Sequence, residues 1–214
     1  ASGWSVEVKG KRAHSSGVFN ERVGAGAIFE MSRILNAFYE EVRGEEYLTF
    51  NPGTLLGGTF VDYDKQTSAG EVFGKTNVVA QSAVVNGGLR FISEEQKENA
   101  RSKMRAIVNQ NLPQTSATIT FQDSYPAMGP SEGNIAVLEI LSEVSQDLGF
   151  GPVSAYDPSK RGAADISFVA DYVDGLDGLG TMGNNAHTPQ ETVNLKTMNA
   201  LIQRAALLIY RLTR

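Results

Sequence analysis

The chain contains no cysteine, so disulfides and thiolate metal sites are excluded, and any metal must be held by imidazole and carboxylate. Histidine is nearly as scarce: His14 and His187 are the only two. A catalytic zinc site takes at least three protein ligands, so imidazole alone cannot supply one here. No run approaches the ~20 apolar residues of a membrane span, which argues against a membrane protein. Positive charge is not in excess. The net charge of −5 argues against a nucleic-acid-binding surface. No basic start followed by an apolar stretch marks a signal peptide, although a removed signal would leave the same sequence, so the compartment stays open. What remains is 214 residues, 41% hydrophobic and 20% charged, the composition of a soluble globular protein with one large or two small domains. The chain opens on Ala1 rather than methionine and reaches strand-like alternation by Trp4. That start is expected of a processed or trimmed piece.

Periodicity organises the first 123 residues. Residues 4–10 alternate apolar and polar as a strand does. Residues 25–42 place Ile28, Met31, Ile34, Leu35, Phe38 and Val42 on one helical stripe, stopped by Gly44. Residues 47–56 read as a strand broken by Gly57 and Gly58, and residues 59–76 as irregular. Residues 77–91 read as a long strand with a bulge or bend at Asn86, Gly87 and Gly88. Ser93 and Gln96 form a capping box for a helix carrying Ala100, Met104, Ile107 and Val108 inward. Ala117, Ile119 and Phe121 alternate as a further strand. The order βαββαβ predicts an α+β, ferredoxin-like domain over residues 1–123.

Residues 123–133 are dense in turn formers and mark the expected boundary. Beyond it, Ser131 caps a helix bearing Ile135, Leu138 and Leu141. A short strand is expected at 153–156, a short helix at 162–170 and a strand or loop at 175–179. Asn194 caps a last helix with Leu195, Met198, Leu201, Ile202, Ala205, Leu208, Ile209 and Leu212 on one side. Three amphipathic helices need more sheet than two short strands provide. Residues 124–214 therefore read as an incomplete α/β layer, with the remaining strands expected upstream of Ala1.

Four motifs bear on chemistry. Gly180-Thr181-Met182-Gly183-Asn184-Asn185-Ala186-His187-Thr188-Pro189 sets a histidine in a tight loop before the last helix, with Glu191 read as surface. Lys9-Gly10-Lys11-Arg12-Ala13-His14-Ser15-Ser16-Gly17 sets the other directly after the first strand. A serine triad from Ser15 or Ser16 is disfavoured, because adjacency does not supply triad geometry. Asn77 and Arg90 bracket the long strand, and the planar guanidinium of Arg90 suits a carboxylate. Asp165 ends a small-residue loop that starts at Lys160. Each has an ordinary alternative: a loop histidine, a polar turn, an exposed strand residue, or a helix N-terminus.

Together these segments resemble a family of zinc-dependent exopeptidases and deacylases that includes glutamate carboxypeptidase, aminoacylase and succinyl-diaminopimelate desuccinylase. The resemblance implies that His187 is a metal ligand and that His14 reaches across a homodimer interface to polarise the scissile carbonyl in the partner's site. It implies that Asn77 and Arg90 hold the substrate carboxylate, that the Asp165 loop lies beside the substrate, and that Pro130 to Asn134 is a structural connection. Two departures stand out: Ala80 where the family has proline, and Gly88 where it has aspartate. The family's other metal ligands and its Glu-Glu pair lie N-terminal to this lid domain. Glu40-Glu41, Glu45-Glu46 and Glu94-Glu95 read as solvated charge rather than substitutes.

The expected identity is thus a lid (dimerisation) domain, 1–123, with the C-terminal portion of a catalytic domain, 124–214. The parent would be a two-metal amide hydrolase for peptides or N-acyl amino acids. Zinc is the implied metal, although manganese and cobalt suit the same ligands. This chain alone is expected to be inactive and to hold no metal stably without the N-terminal catalytic segment. The alternative is a non-catalytic dimerisation or carboxylate-binding module.

Overall fold

Trp4, Val6 and Val8 point to one side of β1 (Ser2–Lys9) and are buried, while Glu7 on the other side is exposed. β1 lies at the centre of a four-stranded antiparallel sheet. Its neighbours are β5 (Ser82–Arg90) and β6 (Ser116–Asp123), and β2 (Thr49–Gly58) flanks β5, giving the order β2-β5-β1-β6. Helices α1 (Ala27–Glu41) and α2 (Glu94–Val108) contribute Met31, Ile34, Phe38, Ala100, Met104 and Ile107 to the core that covers one face of this sheet. This is the ferredoxin-like arrangement expected from the element order. The computed structural model describes residues 1–160 and 162–214.

The core is organised around Trp4. Its ring meets Phe38 edge-on at 5.6 Å, and its indole N–H donates to the Gly88 carbonyl at 3.1 Å. Gly87 sits directly opposite Trp4 on β5. A Cβ there would collide with the indole ring and with the Asn51 carbonyl oxygen. Gly87 is therefore the seat for Trp4, and the register shift lies instead on β2, between Pro52 and Thr54. Gly87→Ala is expected to destabilise by about 1–3 kcal/mol, the usual range for overpacking. Denaturant unfolding monitored by fluorescence of the single tryptophan would show it, and an unchanged midpoint would refute the seat.

Residues 59–76, expected to be irregular, contain a hairpin of β3 (Phe60–Asp64) and β4 (Ala69–Phe73). Its strands are only five residues each, and Asp62, Asp64 and Glu71 interrupt their apolar residues. The turn is closed by the Asp64 carboxylate, which accepts from the Gln66 N–H and the Thr67 hydroxyl, both at 2.8 Å. These bonds hold Asp64 below its ordinary carboxylate range. At α2, Ser93 accepts from the Gln96 N–H at 3.1 Å, while the Gln96 side chain accepts from the Ile92 N–H at 3.0 Å. The capping box closes one residue earlier than its usual form.

The chain divides into two units, Ala1–Ala127 and Met128–Arg214. The division falls four residues after the expected 123/124 boundary, for identifiable reasons. The N–H groups of Ser124 and Tyr125 donate to the Ala1 carbonyl, each at 3.2 Å. The Ala127 N–H donates to Glu94 at 3.0 Å, and Ala127 packs against the core. Burial by itself would raise Glu94, but bonds from Lys97 and the Ala127 N–H outweigh it and leave the carboxyl lowered. Asp123 is lowered chiefly by its hydrogen bond from Arg101.

The second unit holds α3 (Glu132–Asp147), capped by Ser131, and α4 (Leu195–Leu212), capped by Asn194. The two helices pack together, with Leu141, Val144, Leu201 and Leu208 buried. The strands expected at 153–156 and 175–179 do not form, and the helix expected at 162–170 is one 3-10 turn, Asp165–Phe168. Among the described residues no strand pairs with those stretches, and side chains serve part of their backbone instead, Ser142 accepting from Val153 N–H and Asn134 from Gly175 N–H. The unit's only described strands are β7 (Gly183–Asn184) and β8 (Thr192–Val193), which pair as a short hairpin. No helix among the described residues is long and apolar enough to cross a membrane.

Candidate functional site

Past the end of β1 the chain continues alongside the approach to β5. Gly10 is required there, because a Cβ would press on the Ala27 nitrogen at 2.6 Å. Val79 N–H then donates to the Ala13 carbonyl at 2.9 Å, His14 bridges to Val78, and Ser15 N–H donates to the Asn77 carbonyl at 2.9 Å. His14 and Asn77, 63 positions apart in sequence, are thus clamped to one corner by backbone bonds. Both side chains are exposed. The His14 ring is turned by Ser16, whose hydroxyl lies 2.9 Å and whose N–H lies 3.2 Å from Nδ1.

Arg90 is not part of this corner. It pairs with Thr49 at the opposite end of β5. Eight residue steps separate it from Ser82, about 26 Å at strand rise, and Asn77 lies further back still. Within a single chain Asn77 and Arg90, which the resemblance assigns to one carboxylate, therefore lie toward opposite ends of β5. Asn77 lies instead at the His14 corner, where its carbonyl accepts from the Ser15 N–H. Sequence separation along a strand measures distance, whereas the His14 contact depends on the β1–β5 register and has no local signal.

The stripe of α1 is wider than the core can cover. Met31, Ile34, Phe38 and Val42 are buried, but Ile28, Phe29 and Tyr39 are 48%, 55% and 56% exposed. Ile28, on the same apolar stripe, lies beside Gly57 of the edge strand β2, where a Cβ would stand 3.0 Å from it. Further along the same side, Leu35, Tyr39 and Arg43 face Leu48, Phe50 and Pro52 across a groove of ≈ 330 Å³. Arg43 stacks over Tyr39 at 4.1 Å. Leu55 of β2 is 55% exposed. Pro52 and the adjacent bulge spoil part of the β2 edge for pairing and leave 54–58 regular. The opposite edge differs in character: β6 presents Ser116, Thr118 and Thr120, and α2 presents Glu95, Glu98, Lys103 and Arg105. One side of the domain is apolar and the other charged.

In the second unit, Asp165 opens the 3-10 turn with an exposed side chain. Arg161 of the same loop lies outside the described residues. His187 sits between β7 and β8, exposed, with a left-handed backbone at φ 66°. Asn185 beside it is also left-handed, at φ 57°. The turn is braced by the Thr188 hydroxyl on the Asn185 carbonyl at 2.8 Å and by Asn194 N–H on the Met182 carbonyl at 2.7 Å. A non-glycine residue held in this region costs on the order of 1 kcal/mol and marks functional loops more often than ordinary ones. Asn134, in the segment read as a structural connection, spans the start of α3 by accepting from Gly175 N–H at 2.8 Å. Among the described residues no three His, Cys, Asp or Glu side chains come together. The residues present therefore do not make a metal site by themselves, and His187 offers a single ligand.

Residues 1–116 match the family model of the peptidase dimerisation domain. No curated protein matches the chain. Solved structures do. Aminopeptidase PepT of Bacillus cereus superposes with a TM-score of 0.71 at 18% identity, over 100% of this chain and 52% of that one. A tripeptidase of Staphylococcus aureus gives 0.66 at 20% identity, covering 97% and 50%. The YXEP protein of Bacillus subtilis, described as a dinuclear metal-binding peptidase of the M20 family, gives 0.62 at 16%, covering 97% and 48%. The chain thus spans about half the length of the structures it resembles.

Proposed function

The chain belongs to the peptidase dimerisation domain family, and from that premise we propose that it dimerises through α1 and β2 and presents His14 and Asn77 to a partner subunit's active site. The enzyme served would be a metal-dependent amide hydrolase acting on peptides or N-acyl amino acids. The observation that carries this reading is the corner itself. The backbones around His14 and Asn77 are held together by hydrogen bonds, both side chains are exposed, and no three potential metal-ligating side chains cluster among the described residues. Donors of this kind stabilise charge that develops on a carbonyl oxygen. Such a pair is useful where another chain brings the reacting groups.

The second unit supports a larger assembly. Leu195, Ile202 and Ile209, spaced by seven along α4, are 70%, 59% and 62% exposed. A helix with this much uncovered apolar surface belongs against further structure. In this reading a segment beyond these 214 residues completes the layer and supplies the other metal ligands beside His187. The Asp165 loop would border the substrate. Arg90 would bind a carboxylate in a site distinct from the one its own chain's Asn77 serves. Zinc is the metal implied by the resemblance.

The test is complementation in a form extended to the full length of the structures resembled. His14→Ala and His187→Ala should each abolish hydrolysis of N-acyl or dipeptide substrates. Mixed dimers of the two would pair an intact His187 in one subunit with an intact His14 from the other. Equal mixing should restore about a quarter of wild-type activity, since half the dimers are mixed and each holds one intact site. No recovery after verified subunit exchange would refute action across the interface.

A further inference from the structure

We propose that Ser16 is a positioning residue that holds His14 in the tautomer carrying its proton on Nε2. Two contacts fall on Nδ1: the Ser16 hydroxyl at 2.9 Å and the Ser16 backbone N–H at 3.2 Å. A hydroxyl donates or accepts, so the first contact leaves the proton unassigned. A backbone N–H only donates, so the second makes Nδ1 an acceptor, and the hydroxyl then donates to it as well. In a neutral imidazole with Nδ1 as acceptor, the proton is on Nε2.

The backbone geometry makes this arrangement specific. His14 is the cap of the 3-10 turn Ser15–Gly17, and its own backbone is fixed by the bridge to Val78 and by the neighbouring Ser15–Asn77 bond. The ring therefore cannot turn away from Ser16 without leaving the turn uncapped. Every described bond of the ring falls on Nδ1, which leaves Nε2–H as the donor toward whatever approaches the exposed side chain. A carbonyl oxygen needs that donor; the other tautomer would meet it with a lone pair. This consequence rests on the reading of His14 given above, while the tautomer is measurable without it.

The experiment is two-bond ¹⁵N–¹H correlation of the imidazoles in this 214-residue chain at alkaline pH, where both rings are neutral. Only two ring patterns arise, and His187→Gln identifies the one that belongs to His14. The expected pattern is a bare Nδ1 and a protonated Nε2, with no averaging between tautomers. Ser16→Ala keeps the N–H and should keep that pattern. Ser16→Pro deletes the N–H and should return the ring to the averaged pattern of an unrestrained histidine, with amide shifts elsewhere confirming the fold. A protonated Nδ1 or an averaged ring in the unsubstituted chain overturns the proposal. So does a Ser16→Pro ring identical to the unsubstituted one. The complementation result bears on the site reading alone, so the two can fail separately.

Discussion

Glu30→Ala is expected to cost about 3–5 kcal/mol, the usual penalty for breaking a buried ion pair from one side. In a unit of this size that lowers Tm by roughly 10 °C or more. The Glu30 side chain is fully buried, and its carboxylate accepts from Arg33 at 3.1 and 2.7 Å and from the Leu112 N–H at 2.9 Å. Arg33 in turn donates to the Ile107 carbonyl at 3.0 Å and to the Gln110 carbonyl. This pair ties α1 to the end of α2 and to the loop that leads into β6. Alanine would leave the Leu112 N–H unpaired, the mostly buried Arg33 without its counter-charge, and a cavity. Glu30→Gln keeps an acceptor oxygen and fills the space, so it should cost markedly less. Thermal and denaturant unfolding of both variants would measure the difference. A loss below about 1 kcal/mol for alanine would show that the carboxylate is not the anchor.

In the proposed dimer through α1 and β2, Ile28→Asp is expected to turn the dimer into a monomer. In a twofold interface one substitution acts twice. Burying an isoleucine contributes about 1.5–3 kcal/mol, so two lost side chains and two desolvated carboxylates should weaken association more than ~100-fold. Because Ile28 is half exposed within the single chain, the monomer should stay folded. Sedimentation over a range of concentrations reads the shift directly, with Lys103→Asp on the charged α2 face as a control expected to remain dimeric. An Ile28→Asp protein that still dimerises would move the interface elsewhere, and an unsubstituted chain that stays monomeric would remove it.

The clamped corner was half legible before the fold was known. His14 and His187 stood out through scarcity and through the small residues around them, and Asn77 and Arg90 through the resemblance. The grouping did not stand out. The resemblance joins Asn77 and Arg90 on one carboxylate, and within a single chain β5 holds them apart. Helical spacing places Ile28 on the apolar stripe but shows only which residues share a side, not how much of that side is covered. Glu30, beside Met31 on the buried flank of α1, drew no attention because its partners Arg33 and Leu112 meet it only once α1 and the α2–β6 loop are packed.

Local patterns determined the βαββαβ order of the first unit's main sheet and helices, the caps at Ser93, Ser131 and Asn194, and the ferredoxin-like class, because each depends on periodicity or on bonds within a few residues. Tertiary structure alone decided the seat of Trp4 at Gly87, the meeting of the His14 and Asn77 segments, and the division at Ala127. Each of these is a contact between positions that the chain brings together only through strand register and packing, and no window of sequence contains both partners' geometry.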